Sequence, residues 1–369
     1  MKIAFHSSYL GYRGTEIALM DYARGNQEVL GNQSFFLMPW RAGGEKHPVT
    51  HQMRRIAPLR FYSSKEEREA ILQEEKTEFL YCIKNGFNDG AFSRKVPTGV
   101  HAIFRESEFH GDIYAYVSPW LSRIMADGKA PWVPHMVRLS LDSGDLRATD
   151  GGRRPEGGGR RLGGGDQWSE VVIPKGATVF GRHGGDDSFD IPWVQEAVVE
   201  IASKSPDTWF LFLNTREFRG AATAPNIRFL PATADPVLKK RFLNTCDAML
   251  HGRMRGETFG LSCLEVAMLG KPVLTYAGSP EKAHLEILGD AAVAYHNAKE
   301  LREFLCHPAS VIRRPFVNGC QRPEDGGLGA DVGSRRSVVG GQKAVGRRFA
   351  DYEPEAVMKK FKEVFLDVV

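Results

Sequence analysis

The stretch Ala248 to Tyr276, AMLHGRMRGETFGLSCLEVAMLGKPVLTY, concentrates residue types that can do chemistry. A short apolar strand, Ala248 to His251, runs into a loop with glycines at 256 and 260, and a helix opens near Phe259 to Leu261. Glycine lets backbone approach a ligand closely, and the N–H groups at a helix start attract anions. Phe259, Gly260 and Leu261 are therefore candidate phosphate contacts. Glu257 precedes the helix and Glu265 lies eight residues on, about two turns in at 3.6 residues per turn. Both carboxylates can then face one cleft at different depths, one reaching a sugar and the other a ribose.

Three further stretches put polar residues at strand ends. In LGYRGTEIALMDYA, residues 10–23, Gly11 and Gly14 lie in a loop between a first strand and a helix, where a plain tight turn explains them as readily as a ligand does. Val100 to Phe104 carries His101, whose neutral imidazole could exchange hydrogen bonds with a hydroxyl or serve the core, and His110 competes for that role. VFGRHGG, residues 179–185, sets Arg182 at a strand end, where a guanidinium suits phosphate contact and charge growing on a leaving group.

The elements that must position these residues alternate. Strands are predicted at 2–5, 34–38, 78–83, 100–104, 113–117 and 132–134, then at 178–182, 209–214, 227–230, 248–251, 272–276 and 292–295. Helical spacing is predicted at 17–30, 64–75, 191–204, 236–246, 261–269 and 298–305. Short apolar strands alternating with helices imply a parallel sheet covered on both faces, and the pattern occurs twice. The expected fold is α/β, two doubly wound Rossmann-like domains facing a cleft at the carboxyl ends of the strands. Glu353 to Asp367 begins with Pro354 and sets Val357, Phe361, Val364 and Phe365 on one face of a closing helix.

The expected organisation is an N-terminal domain at 1–138, a Gly/Arg-rich linker or insertion at 139–170, a C-terminal domain at 171–318, a Gly-rich insertion at 319–348 and the closing helix at 349–369. Residues 151–165 hold eight glycines in fifteen and 319–348 eight in thirty, without an apolar period, so flexibility is expected of both. They read equally as native loops or as non-native read-through. Each carries a charge of +3, which leaves −2 for the rest of a chain whose net charge is +4. No basic stripe with interleaved aromatics appears, which disfavours nucleic acid as a partner. With 369 residues, 42% hydrophobic and 25% charged, and mean hydropathy −0.32, the chain is long enough for two cores. No apolar run approaches the about 20 residues of a membrane span. Five scattered cysteines form no C-x-x-C, so no zinc site or disulfide framework is expected. The short apolar stretch after Met1 is no signal-peptide core, so the expected location is cytoplasmic.

Glu257, Phe259, Gly260 and Glu265, followed by Ala267, Met268, Gly270, Pro272 and Val273, resemble the signature of the family 4 glycosyltransferases, the retaining GT-B enzymes. Gly11, Gly14 and Glu16 resemble that family's first loop, with Arg13 where it usually has a small residue. Arg182 resembles its G-R loop, and Trp132 to Val137 its P-N-G-V turn with His135 and Met136 substituted. The resemblance implies that Glu257 contacts the transferred hexose and Glu265 the donor ribose, with His101 near the sugar. Arg182 and the amides of Phe259 to Leu261 would lie on the diphosphate. It further implies transfer of a hexose from a nucleotide-diphosphate sugar to an acceptor hydroxyl with retention. The family usually has a lysine a few residues after that arginine; here HGGDDSFD follows, and either His183, Lys271 or Arg255 compensates or leaving-group stabilisation is weakened.

No cofactor is expected, and no metal, because Asp186 and Asp187 lack D-x-D spacing. The expected partners are a nucleotide sugar and a glycan, lipid or small-molecule acceptor, with peripheral membrane contact open. A GT-B-shaped epimerase or phosphorylase and a catalytically weak or inactive nucleotide-sugar-binding protein are the alternatives. A nicotinamide dehydrogenase is disfavoured, since no G-x-G-x-x-G follows a strand with an acidic residue about 20 on.

Overall fold

Runs such as KIAFHS, QSFFLMP and FLYCIK are buried almost throughout, the mark of strands covered on both faces of a parallel sheet. The computed structural model describes residues 1–368 other than 12–13, 43, 107, 139–159, 163–167, 169–170, 234 and 313–347. Strands β1 (Lys2–Ser7), β2 (Gln33–Pro39), β3 (Leu59–Tyr62), β4 (Phe79–Lys84), β5 (Thr98–Ala102) and β6 (Ile113–Tyr116) form one parallel sheet in the order β3-β2-β1-β4-β5-β6.

After a short antiparallel pair, β7 (Arg160–Arg161) and β8 (Val172–Ile173), the theme repeats. Strands β9 (Thr178–His183), β10 (Thr208–Leu213), β11 (Ile227–Leu230), β12 (Ala248–His251), β14 (Val273–Tyr276) and β16 (Ala292–Tyr295) form a second parallel sheet, ordered β11-β10-β9-β12-β14-β16. Two-residue strands β13 (Gly256–Glu257) and β15 (Glu281–Lys282) pair beside it. In each sheet the strand order reverses beside the first strand, between β1 and β4 and between β9 and β12. Such switch points open a crevice at the carboxyl ends of the strands.

Helices α1 (Gly14–Glu28), α2 (Pro48–Ile56), α3 (Lys65–Glu74), α5 (Pro192–Lys204), α6 (Pro236–Thr245), α7 (Leu261–Met268) and α8 (Ala283–Leu288) lie in the crossovers, while α4 (Pro119–Ala126) and α9 (Ala298–Cys306) follow the last strand of each sheet. Their starts are chemically legible: Ser64 accepts from the Glu67 amide at 3.1 Å, Asp235 from Val237 at 2.8 Å, and Pro236 occupies the first turn of α6. The pattern of the sequence did not foresee β3, α2, α4 or α8. α2 reads PVTHQMRRI and buries only Val49, Thr50 and Met53, while α8 has six residues, too few to show a period. The strand expected at 132–134 is a single bridge between Tyr116 and Trp132.

A helix at Pro354–Phe361, extended by a π-helical turn at Lys362–Leu366, returns from the second sheet to the first. Phe361 stacks on Phe5 and lies 5.4 Å from the Tyr22 ring, and Phe365 meets Tyr81 edge-on at 5.4 Å. The two crossings touch, the Val137 amide donating to the Tyr352 carbonyl at 2.9 Å. Of the linker expected to be flexible, the described part is paired and anchored by buried Leu162 and Trp168, because those two apolar side chains repay the ordering of the backbone. The rest of 139–170, and 319–347, lie outside the described residues. The cysteines at 82, 246, 263 and 306 form no disulfide.

Candidate active site

The carboxyl ends of both sheets face a cleft of about 170 Å3. The first sheet contributes Ile103 and Phe104 after β5 and Val117 after β6, and α1 contributes Gly14 at its start. The second sheet contributes Arg182 to Gly185, Leu213, Asn214, His251 and Arg253 at strand ends, and the segment from Glu257 to Ser262 that opens α7.

That segment is shaped by two glycines in the left-handed region. At Gly256, φ is +78° and a Cβ would lie 2.0 Å from the Glu281 carbonyl oxygen; at Gly260, φ is +90° and a Cβ would lie 2.7 Å from the Cβ of His284. Only glycine fits either place without displacing backbone or side chain. Gly260 precedes α7 with no side-chain cap, so the first amides of α7 open into the cleft. Phe259 is buried, its ring 5.0 Å from His135 and 5.9 Å from Tyr352. Thr258 fastens the loop to the first sheet: its hydroxyl donates to the Ile103 carbonyl at 2.6 Å, and its own carbonyl accepts from the Ser118 hydroxyl at 2.6 Å.

Both carboxylates line the cleft. Glu265 projects from α7, with Oε2 2.8 Å from His183 Nε2 and Oε1 2.5 Å from Lys239 Nζ. Burial alone would raise its pKa, but the Lys239 charge and the His183 hydrogen bond hold it down to about 2. Glu257 meets Arg253 Nη1 at 2.7 Å and His251 Nε2 at 3.3 Å. Burial again opposes ionisation and is overcome by Arg253 and His251, leaving a pKa of about 2. The cleft therefore presents two ionised carboxylates, Glu265 buried and Glu257 half-buried, each matched by a cation.

Arg182 reaches the cleft but is 3% exposed and engaged by its own chain. Its Nη1 donates to the Asn214 carbonyl and the Thr215 hydroxyl at 3.2 and 2.5 Å, and its Nη2 to the Gly185 carbonyl and the Ser188 hydroxyl at 2.7 and 2.5 Å. It braces the 184–188 turn against the end of β10, and burial lowers its pKa to about 10.

His101 stands elsewhere. Its ring is fully buried, with Nδ1 2.6 Å from the Tyr81 hydroxyl and Phe365 and His135 packed around it, and it does not line the cleft. Burial lowers its pKa to about 3. The returning C-terminal segment covers it, so the structure does not bring it together with the other residues expected near a sugar. His135, in the segment that follows α4, does line the cleft. His110 is also outside, bonded to Lys84 Nζ at 2.9 Å. Gly14 lines the cleft opposite Leu261, Gly11 does not, and residues 12–13 between them are outside the described part.

Of the cations considered as compensating for a lysine after Arg182, Arg255 binds Glu281 at 2.7 Å, and Lys271 donates to the carbonyls of Leu243 and Cys246, both at 2.6 Å. Only His183 of the three lines the cleft. Sequence reasoning missed Lys239, although a signal existed. Lys239, Phe242, Leu243 and Cys246 follow the i, i+3, i+4, i+7 spacing of the inward stripe of α6, so a lysine heads a row of buried residues.

No family model and no curated protein matches the chain. Solved structures match it over nearly its whole length. The crystal structure of Anabaena Alr3699/HepE in complex with UDP and glucose superposes with a TM-score of 0.61 at 12% identity, covering 98% of each chain. A glycosyltransferase from Rickettsia africae ESF-5 gives 0.61 at 9% identity with 99% of each chain covered. The UDP-GlcNAc 2-epimerase from Neisseria meningitidis bound to UDP-GlcNAc gives 0.56 at 10% identity, with 99% of this chain and 100% of that one covered. At such identities the likeness is one of fold. The chain has the GT-B fold, two Rossmann-like domains facing a cleft.

Proposed function

We propose that this chain is a glycosyltransferase that moves a hexose from a nucleotide-diphosphate sugar to an acceptor hydroxyl with retention of configuration, in the manner of the family 4 enzymes its signature resembles. The observation that carries this reading is the pair of ionised carboxylates, Glu257 and Glu265, flanking the uncapped start of α7 in the cleft. Glu265 takes the ribose hydroxyls, Glu257 the hexose, and the amides at Phe259 to Leu261 the diphosphate. Arg182 acts by holding the 184–188 turn and by its buried positive charge. The bond from the anomeric carbon to the diphosphate oxygen breaks, and its electron pair leaves with the diphosphate. The acceptor oxygen bonds to the same face, and its proton passes to the leaving phosphate oxygen. Protein cations and amides supply the charge stabilisation, so neither metal nor organic cofactor is assigned. The acceptor is a glycan, a lipid or a small molecule, and the site of action is the cytoplasm; no helix among the described residues is long and apolar enough to cross a membrane.

The test is release of UDP or GDP from common nucleotide sugars, with the anomeric configuration of the product read by NMR. Release that needs an acceptor, and that Glu257→Gln lowers by roughly two orders of magnitude or more, supports transfer. Turnover of donor to an isomer without acceptor supports the second reading, an epimerase, which the fold of the Neisseria enzyme favours. Binding without turnover sinks both.

A further inference from the structure

Among the described residues that line the cleft, the side-chain cations other than histidine are Arg182, Arg253 and Lys239. They differ in what they can still bind. Both Nη atoms of Arg182 are committed to acceptors in the 184–188 turn and at the end of β10, and Arg253 is tied through Nη1 at 2.7 Å to Glu257, the carboxylate read as meeting the hexose rather than the ribose. Lys239 stands in the first half of α6 with its side chain 23% exposed, and its Nζ meets Glu265 Oε1 at 2.5 Å. An ammonium carries three N–H donors on a flexible four-carbon stem, so one carboxylate oxygen leaves it capacity and reach. Glu265, for its part, has a second partner, His183 on Oε2. If the lysine turned away, Glu265 would keep that hydrogen bond and would look to a new donor on Oε1 alone. The loop after β9 offers no substitute: residues 183–190 read HGGDDSFD, with two adjacent aspartates.

We propose that Lys239 is the cation that meets the donor's diphosphate in this chain, delivered from α6, and that it exchanges Glu265 Oε1 for phosphate oxygen when nucleotide enters. The exchange bares Glu265 Oε1 for a ribose hydroxyl while His183 retains Oε2. Lys239 thus guards the ribose site when the cleft is empty and neutralises the leaving group when it is filled. This rests on the nucleotide-sugar reading of the cleft.

Calorimetric titration with UDP, GDP and ADP, each beside its own nucleoside, separates the two ideas. For the base that binds wild type, Lys239→Met should weaken the diphosphate by roughly 10- to 100-fold, the worth of a charge-assisted contact. The nucleoside, which has no phosphate, should weaken by no more than about threefold. Lys239→Arg, which keeps the charge, should recover most of the loss. Glu265→Gln, which frees the lysine without removing it, should weaken nucleoside and diphosphate alike and preserve their ratio; Lys239→Gln, read in the same way as Lys239→Met, serves if the latter does not fold by circular dichroism. Equal losses for both ligands in Lys239→Met mean that the lysine only holds Glu265, which overturns the proposal and leaves the nucleotide reading standing. An unchanged diphosphate affinity overturns it too. If none of the three bases binds wild type, the nucleotide-sugar reading falls and the proposal falls with it.

Discussion

Of the six histidines buried among the described residues, four sit where protonation has no place to go. His6 rests on the Tyr62 hydroxyl at 2.8 Å and His101 on that of Tyr81 at 2.6 Å, and His284 meets Thr275 at 2.9 Å. Burial depresses all three to about 3, and His135 well below its ordinary value. The folded chain therefore declines protons that the unfolded chain accepts below about 6.5, so stability falls as pH drops from there toward 3. Each of His6, His101 and His284 contributes a loss of about 2 kcal/mol by pH 5. His101→Gln should flatten the slope of melting temperature against pH between 7 and 5, and a slope equal to wild type would show that His101 is not buried neutral. The two carboxylates act lower: their stabilisation is complete above the ordinary range near 4.5 and drains as pH falls to about 2. At this scale Glu257, Glu265 and the glycine loop were legible because their types and spacing are local. His101 was not, since a strand-end histidine looks the same from the sequence whether a ligand or a C-terminal helix lies over it.

Ser118 joins two elements with one hydroxyl. It caps α4 by accepting from the Leu121 amide at 3.1 Å, and it donates to the Thr258 carbonyl of the 256–261 loop at 2.6 Å. Ser118→Ala loses a cap worth about 1 kcal/mol and leaves a buried carbonyl short of a donor for about 1 kcal/mol more. Denaturant unfolding should register a loss of about 2 kcal/mol, and a loss below about 0.5 kcal/mol would mean that water or another donor replaces the contact. Elements with a continuous apolar run, such as β10, or a kept helical period, such as α5, were readable from the chain. α2 and α4 were not, because the first is mostly polar and the second, PWLSRIMA, is shorter than a full pattern. α6 was readable as a helix, while the meaning of Lys239 at the head of its buried stripe needed the partner that the stripe faces.

At the scale of the molecule, the two sheets share one apolar core that runs from Ile3 and Tyr81 through Phe259 and Leu264 to Phe361 and Phe365. The C-terminal segment seals the first sheet after the second is complete, and Gly99 leaves room for Phe365, whose ring would stand 2.7 Å from a Cβ there. Phe361→Ala empties a site among Phe5, Tyr22 and Tyr81 and should cost about 3–5 kcal/mol. Because the core is shared, thermal unfolding of wild type should be a single transition; two separate calorimetric peaks would show that the sheets melt independently.

Local regularities settled the class of fold from the chain alone: strand-sized apolar runs alternate with helices twice, and a parallel sheet is what such alternation buries. They also settled where the glycine loop that opens α7 lies, since glycines before a helix start are contiguous in sequence. The tertiary structure decided which charges meet across the cleft. Lys239 and Glu265 are 26 residues apart and His183 and Glu265 are 82 apart, and side chains so separated become partners only when the sheet order brings β9, α6 and α7 together. The burial of His101 was decided the same way, by a helix more than two hundred residues downstream, because a side chain's solvent is whatever the rest of the molecule leaves beside it.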